Sequence, residues 1–375
     1  MERLPQKRLL ALDGGGLMGL ISLGILQELE NQLRVAHGGD DNFRLRDFFH
    51  YIAGTSTGAI IAAGLMTGMR VAELQKLYTS LGAKMFTPAS PVKLIPWIFS
   101  SRKYHHEPLA ELLRETLGAG TIAELQSAGV LPTDKHLMMV MHNVNTDSPW
   151  CISTNSASYY NQQSHKQCNL NLPLWLLVRA STAAPGYFFP QAIEMEPGNP
   201  DSYRVFQDGG LTPHNNPALK LFQMATLPEY RLEWDTGVNR MLLVSIGTGR
   251  VENLTDAIDD NGTGLWRTAG SAPGWLMAGA SAENDLMCRM LGECRFGPKI
   301  DNEVGHVMGT SPNEKLFSYV RYDTLLTENA LKHAGTSLGL SSMKMDKVEA
   351  IPDFVRLGAA VATQVDCPVH LRGFL

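Results

Sequence analysis

Cysteine is scarce in this chain and shows no pairing pattern. The five residues Cys151, Cys168, Cys288, Cys294 and Cys367 contain no Cys-x-x-Cys spacing. Their odd number argues against a complete disulfide framework, so a reducing compartment is expected. Charge is also sparse: 18% of residues are charged and the formal net charge is −5. With no basic run of five residues, the chain has no general electrostatic reason to bind a polyanion, and neither DNA nor RNA is an expected partner. No stretch approaches the roughly 20 apolar residues that a spanning helix needs. The segment Met1 to Arg8 runs directly into the first glycine motif and leaves no room for a signal peptide, so a cytoplasmic protein is expected. Internal repeats and low-complexity tracts are absent.

Apolar residues are plentiful. They make up 44% of 375 residues, enough for one large core or two moderate ones. Arg8 to Leu12 reads as a buried strand, followed by a glycine turn from Asp13 to Gly19 and a helix through about Gln32. A second apolar run, Phe48 to Ala53, leads through Gly54-Thr55-Ser56-Thr57-Gly58 into the helix-forming Ala59 to Ala63. Further apolar strands are expected at 136–141, 203–206, 240–246 and 315–322. Continuous rather than alternating apolar strands between helices imply a sheet covered on both faces, hence a three-layer α/β/α fold with a mostly parallel sheet. The texture changes after Arg250, with a loop at 259–264 and helical stretches at 275–293 and 351–363. The expected division is a catalytic part at 1–255 and a mainly helical part at 256–375, packed on the same sheet.

The stretch Gly54 to Gly58 has the outline of a nucleophile elbow, in which a serine on a tight strand-to-helix turn holds its hydroxyl in a fixed, accessible direction. The pattern alone is weak, since roughly one chain in five of this composition contains it by chance. A serine hydroxyl needs a base, and the oxyanion it creates needs fixed donors. Gly14, Gly15 and Gly16 supply unobstructed backbone N–H groups at a strand end, suited to an oxyanion hole. The alternatives are a turn that merely packs a helix on a strand, or a phosphate cradle. A phosphate-binding loop is disfavoured because no Gly-Lys-Ser/Thr follows. Eleven histidines offer the base of a triad; His214 is the best placed, while His105, His106 and His142 fall in loops or strand ends. Asp208-Gly209-Gly210 stands out more, because it ends a buried strand on a tight turn, where open α/β sheets present functional side chains. An aspartate there needs a partly desolvated site to act as a base. The alternative is an Asp-Gly turn without a role.

Together these pieces resemble the patatin-like phospholipase family, in which a D-G-G-G-x-x-G loop, a G-x-S-x-G elbow and a D-G-G or D-G-A aspartate occur in that order. Arg179 to Pro190 and Val244 to Gly249 are similar to further family segments, and the likeness covers most of the chain. It implies a metal-free, cofactor-free lipid acyl hydrolase with Ser56 as nucleophile, Asp208 as general base and Gly14, Gly15 and Gly16 as oxyanion hole. The sequence departs from the family at Met18, where many members carry a basic residue. Acyl transfer on a related fold is the alternative within the same chemistry, though Thr55 stands where such enzymes carry a histidine. A binding or storage protein with little catalysis is the alternative outside it.

A lipid hydrolase must work at a membrane surface. The stretch 91–103, with Trp97, Phe99, Lys93, Arg102 and Lys103, has the composition of an interfacial loop, and an ordinary loop anchored in the core is the competing reading. Gly274-Trp275-Leu276-Met277 reads rather as core. Some bacterial members of about this length are switched on by a cyclic nucleotide in antiphage defence, so the resemblance implies a cyclic di- or trinucleotide as a partner, and a homo-oligomer is an open expectation. No motif marks a nucleotide pocket. Arg267, Arg289, Arg295 and Lys299 are the cations available for one, against the plainer reading of a solvated helix face.

Overall fold

A computed structural model describes residues 5–85, 104, 105, 107–251, 265–308 and 314–375. The interfacial stretch expected at 91–103 and the loop expected at 259–264 lie outside them.

Eleven strands are described: β1 (Lys7–Leu12), β2 (Tyr51–Thr55), β3 (His136–Asn143), β4 (Ser148–Ser153), β5 (Gln191–Glu194), β6 (Tyr203–Asp208), β7 (Met241–Ile246), β8 (Arg250–Val251), β9 (Glu293–Phe296), β10 (Ser318–Tyr322) and β11 (Leu325–Leu326). Nine of them form one sheet, and β8 pairs with β11 apart from it. The contiguous core β3-β2-β1-β7-β10-β9 is parallel throughout. The remaining strands, β4, β6 and β5, join antiparallel.

Alternation along each strand assigns side chains to the two faces. Leu10, Leu12, Ile52, Val244 and Ile246 enter a large core beneath the helices Gly19–Ala36, Thr57–Met66 and Ile351–Ala362. Leu9, Ala11, Tyr51, Ala53 and Leu243 enter a smaller one beneath the helix Ala218–Thr226 and the end of the helix Leu265–Leu291. With apolar partners on both sides, the central strands carry few polar side chains, which is why their sequences read as near-continuous hydrophobic runs. The expected three-layer α/β/α architecture is therefore present. Beyond residue 255 the chain adds β9 and β10 to the same sheet. Its helix Ile351–Ala362 packs on Gly19–Ala36 so closely that a Cβ on Gly24 would lie 2.5 Å from the backbone of Gly358. Several elements differ from expectation: Phe48 ends a short helix, Leu45–Phe48, so that strand starts only at Tyr51, β10 starts only at Ser318, and β4, β5 and β9 lie where no strand was expected.

Strand order brings the site together. The antiparallel β4 covers one edge of β3 from Met138 to Asn143, so β2 and β6 must share the other edge. Parallel β2 runs up that edge and ends with Thr55 opposite Val140, while β6 runs down it and ends with Asp208 opposite Met141. The two strands meet end to end, and the residues that follow Thr55 face Asp208. On the other side of β2, Leu12 pairs with Gly54 and Ile246, so the turns after β1, β2 and β7 open together at the carboxyl ends of the parallel strands. The chain proceeds from β1 to β2 in one direction and later returns to β7 on the other flank. Such a reversal of strand order is where open α/β sheets form their binding crevices.

Candidate active site

Ser56 sits between β2 and the helix Thr57–Met66 at φ 54°, ψ −120°. That is a sparsely populated conformation for a residue with a Cβ, worth about 1–3 kcal/mol of local strain. Its neighbours enforce it. A Cβ on Gly54 would stand 2.0 Å from the carbonyl oxygen of Gly58, and one on Gly58 would stand 2.2 Å from that of Leu12. Strand, turn and helix can pack this closely only with glycine at both flanks. The Ser56 N–H donates to the Ser181 hydroxyl at 2.9 Å, and Ser181 in turn donates to the carbonyl of Val140 at 2.5 Å. The elbow is thus tied to β3 by a side chain from the end of the helix Leu174–Ser181.

The Ser56 hydroxyl donates to Asp208 Oδ2 at 2.6 Å, and the other carboxylate oxygen accepts the Gly210 N–H at 2.7 Å. Asp208 is 5% exposed. Burial pushes its carboxyl up to about 6, against the opposing pull of the Ser56 and Gly210 hydrogen bonds and the positive charge of Arg179. A carboxylate held this way stays ionised at neutral pH, yet takes a proton more readily than an exposed aspartate. Arg179 is itself buried. Its Nη2 donates to the Phe189 carbonyl at 3.2 Å, and its guanidinium lies 5.3 Å from the centre of the Phe188 ring.

The three glycines after Asp13 do not play equal parts. The Gly14 N–H is taken by the Asn215 carbonyl at 3.1 Å, which corrects the expectation of three donors: Gly14 helps to lock the loop, and its N–H is not available to a ligand. Gly15 and Gly16 line the cavity above Ser56. A Cβ on Gly15 would strike the Thr248 hydroxyl at 2.3 Å, and Gly16 adopts φ +57° with its Cα against the Met345 carbonyl. Beneath the loop, Arg321 forks onto Asp13 at 2.8 and 2.6 Å and also reaches Ser245 and Asp323 at 2.7 and 2.8 Å. This buried ion cluster anchors the residue from which the glycines depart. Met18, in the place where the resemblance leads one to expect a basic residue, is buried in the core.

The patatin-like phospholipase family matches residues 10–222, more than half of the chain, from within β1 through Asp208 and into the helix Ala218–Thr226. This chain belongs to the patatin-like phospholipase family. Members of that family are hydrolases of lipid esters. Calcium-independent phospholipase A2-gamma of Oryctolagus cuniculus is 30% identical over 249 residues, 66% of this chain and 28% of the relative. Intracellular phospholipase A2 of Caenorhabditis elegans is 30% identical over 264 residues, 68% of this chain and 21% of the relative. The chain thus spans less than a third of the length of these two relatives. A cGAMP-activated phospholipase of Vibrio cholerae is 26% identical over 370 residues, covering 94% of this chain and 96% of the relative.

The patatin-like site opens into a cavity of about 320 Å³, with Gly15, Gly16, Ser56 and Asp208 in its wall and Ile60, Leu109, Phe188 and Met345 among its apolar lining. The volume lies within the usual range for small-molecule sites. Among the described residues, no helix is long and apolar enough to cross a membrane, and no group of three or more His, Cys, Asp and Glu could hold a metal ion. The histidine favoured by sequence spacing, His214, approaches the elbow only through its backbone: its carbonyl accepts the Thr55 hydroxyl at 2.7 Å, and burial lowers its imidazole to about 4.

The cations considered for a nucleotide are dispersed over separate contacts. The Arg289 side chain is fully buried, ion-paired to Asp285 at 2.7 Å and bonded to the His306 carbonyl, which corrects the picture of a solvated helix face. Arg295 pairs with Glu293 and Lys299 bonds Asn302; the Arg267 side chain lies outside the described residues. Sequence reasoning missed Ser181, Arg321, Asp323 and Asn215 as supports of the site. Of these, Ser181 lay in a stretch already singled out, Arg179 to Pro190, and Arg321 in the strand expected at 315–322.

Proposed function

We propose that this chain is a serine acyl hydrolase of membrane phospholipids or lysophospholipids, in which Ser56 is the nucleophile, Asp208 the general base, and the Gly15 and Gly16 N–H groups the oxyanion donors. The observation that carries the reading is the 2.6 Å hydrogen bond from the Ser56 hydroxyl to a buried carboxylate at the base of an apolar cavity. In the first half-reaction Ser56 Oγ passes its proton to Asp208 Oδ2 and attacks the ester carbonyl. The negative charge formed on the carbonyl oxygen is received by the two glycine N–H groups and favoured by the positive end of the helix Thr57–Met66. As the tetrahedral species collapses, the ester C–O bond breaks and the departing alkoxide takes the proton back from Asp208, leaving an acyl-serine. In the second half, water gives a proton to Asp208 and attacks the acyl carbon; the Ser56–acyl bond breaks, Ser56 regains the proton, and a fatty acid leaves. The apolar lining suits the acyl chain, whose burial contributes about 0.8 kcal/mol for each methylene removed from water.

The full-length similarity to a cGAMP-activated phospholipase supports a second layer of the proposal: activity gated by a cyclic di- or trinucleotide, in the setting of antiphage defence. Acyl transfer is less well supported, because among the described residues no histidine lines the cavity that holds Ser56. Fatty-acid release from phospholipid vesicles, measured with and without a panel of cyclic oligonucleotides, tests both layers, with Ser56→Ala as the blank. Nucleotide-dependent release that disappears in Ser56→Ala is the expected result. Release that survives Ser56→Ala refutes the assignment, and failure of a fluorophosphonate probe to label Ser56 under every condition points instead to a binding protein.

A further inference from the structure

We propose that the amino-terminal part of the helix Leu265–Leu291, around Trp275 and Leu276, is the surface by which the protein seats itself on a zwitterionic phospholipid bilayer. The inference rests on the reading of the cavity as a lipid site and adds where that lipid is met.

The helix has two distinct halves. From Ser281 onward one face is held against the protein, with Ser281, Asn284, Asp285, Cys288 and Arg289 buried, while Glu283 and Met290 face solvent. Ahead of Ser281, the residues Gly274, Trp275, Leu276, Ala278 and Gly279 are exposed. Trp275 is 50% exposed and Leu276 74% exposed, where the sequence suggested core, and a Cβ added to Gly274 or Gly279 would meet nothing within 4 Å. Two exposed large apolar side chains side by side on a helix are costly in water and call for a partner.

The position of this surface identifies the partner. Gly274 and Met277, on either side of the exposed pair, line the cavity that holds Ser56 and Asp208. A Cβ on Gly210 would lie 2.8 Å from the Met277 methyl, so the helix rests against the turn that follows Asp208. That turn contributes Leu211, which is 40% exposed and also lines the cavity. The exposed apolar side chains therefore adjoin residues that form the wall of the cavity. A lipid leaving a bilayer through this surface would keep its chain against apolar groups all the way to Ser56.

Composition selects the kind of bilayer. From Thr268 to Ala282 there is no charged side chain and no histidine, so this stretch of the helix itself offers anionic headgroups no cation. Trp275 suits the headgroup layer, where an indole places its ring among acyl chains and its N–H in the wet zone. The helix is not apolar enough to cross the membrane and would lie in the interface.

The test uses the full chain carrying Ser56→Ala, so that lipid is not consumed, with and without Leu276→Asp. Co-sedimentation with phosphatidylcholine vesicles is measured at low and high salt. The parent is expected to partition onto the vesicles with little salt dependence, and Leu276→Asp to partition about tenfold less or weaker, with an unchanged thermal melt. In the active background, Leu276→Asp is expected to lower hydrolysis of vesicle lipid about tenfold while hydrolysis of a soluble short-chain nitrophenyl ester stays within about twofold. Equal partitioning of the two proteins, absence of parent binding, or a change from dimer to monomer with vesicle binding retained would each overturn the inference, the last by assigning the surface to a second copy of this chain. Loss of all ester hydrolysis with Leu276-dependent vesicle binding intact would refute the proposed enzyme and leave this docking surface standing.

Discussion

Replacing Asp208 by asparagine should stabilise the protein while removing its activity. The carboxyl titrates near 3.8 when unfolded and near 6 in the folded chain, because burial raises it further than its hydrogen bonds and Arg179 lower it. A folded value above the unfolded one means that the native state binds the proton more tightly. The contribution of this carboxyl to native stability is then most favourable below pH 4, falls as pH rises from about 4 to 6, and stays unfavourable above that. The shift of about two units corresponds to about 3 kcal/mol carried as a penalty at pH 8. Asparagine has nearly the same shape and no charge. Its oxygen can still accept the Gly210 N–H, and its amide can donate to the Ser56 hydroxyl, but it cannot take the serine proton. With an unfolding entropy of about 0.8 kcal/mol/K for a chain of this length, Asp208→Asn should raise the melting temperature by about 4 °C at pH 8. At pH 4.5 the gain should shrink to about 1 kcal/mol. Differential scanning calorimetry at the two pH values, beside fatty-acid release, measures both effects. A variant that is less stable than the parent at pH 8, or whose gain is equal at pH 4.5, would falsify the claim that Asp208 is held ionised at an energetic cost.

Other consequences follow from the same geometry. Hydrolysis should fall about tenfold per pH unit below about 6, as Asp208 takes a proton and loses its capacity to act as a base; a profile flat from pH 7 to 5 would exclude it from that role. Gly15→Ala should fold but lose activity by a factor of about 100 or more, because its Cβ meets the Thr248 side chain at 2.3 Å and must displace the loop that carries the oxyanion donors. Single-turnover kinetics would show the loss in the acylation rate. Arg321→Met should destabilise the fold by about 3–5 kcal/mol, read by urea unfolding, since it leaves Asp13 and Asp323 buried without their cation.

The site's supports explain why its parts were unevenly legible in sequence. The elbow and the glycine loop announce themselves because their constraints are local. A serine at positive φ between two closely packed elements needs glycine two residues away on each side, and a loop whose backbone touches Thr248 and Met345 needs glycine as well. The supporting side chains carry no such mark. Arg321 contacts Asp13 across 308 positions of sequence, and Ser181 holds the Ser56 N–H across 125. Neither distance has a period or a motif, and each contact exists only because the strands and the helix that carry or adjoin these residues pack in one sheet assembly. The Gly14 N–H was misjudged for the same reason: its acceptor, the carbonyl of Asn215, comes from the turn after β6. Composition also misled at the helix Leu265–Leu291, where Trp275 and Leu276 read as core and are exposed, while Arg289 read as surface and is buried against Asp285.

By itself the sequence determined most strands of the parallel sheet and the helices that cover them, and the residues whose backbone demands could be met only by glycine or by a serine at a sharp turn. These follow from hydrophobic periodicity and local sterics, both of which act over a few residues. Tertiary structure alone decided that Ser56 and Asp208 meet, because β2 and β6 approach the same edge of β3 from opposite directions and end one register position apart. It also decided that the Gly14 N–H is taken by the Asn215 carbonyl and that Trp275 and Leu276 meet solvent. Those outcomes depend on strand order, direction and register, which come from the packing of the whole sheet and from no single stretch of chain.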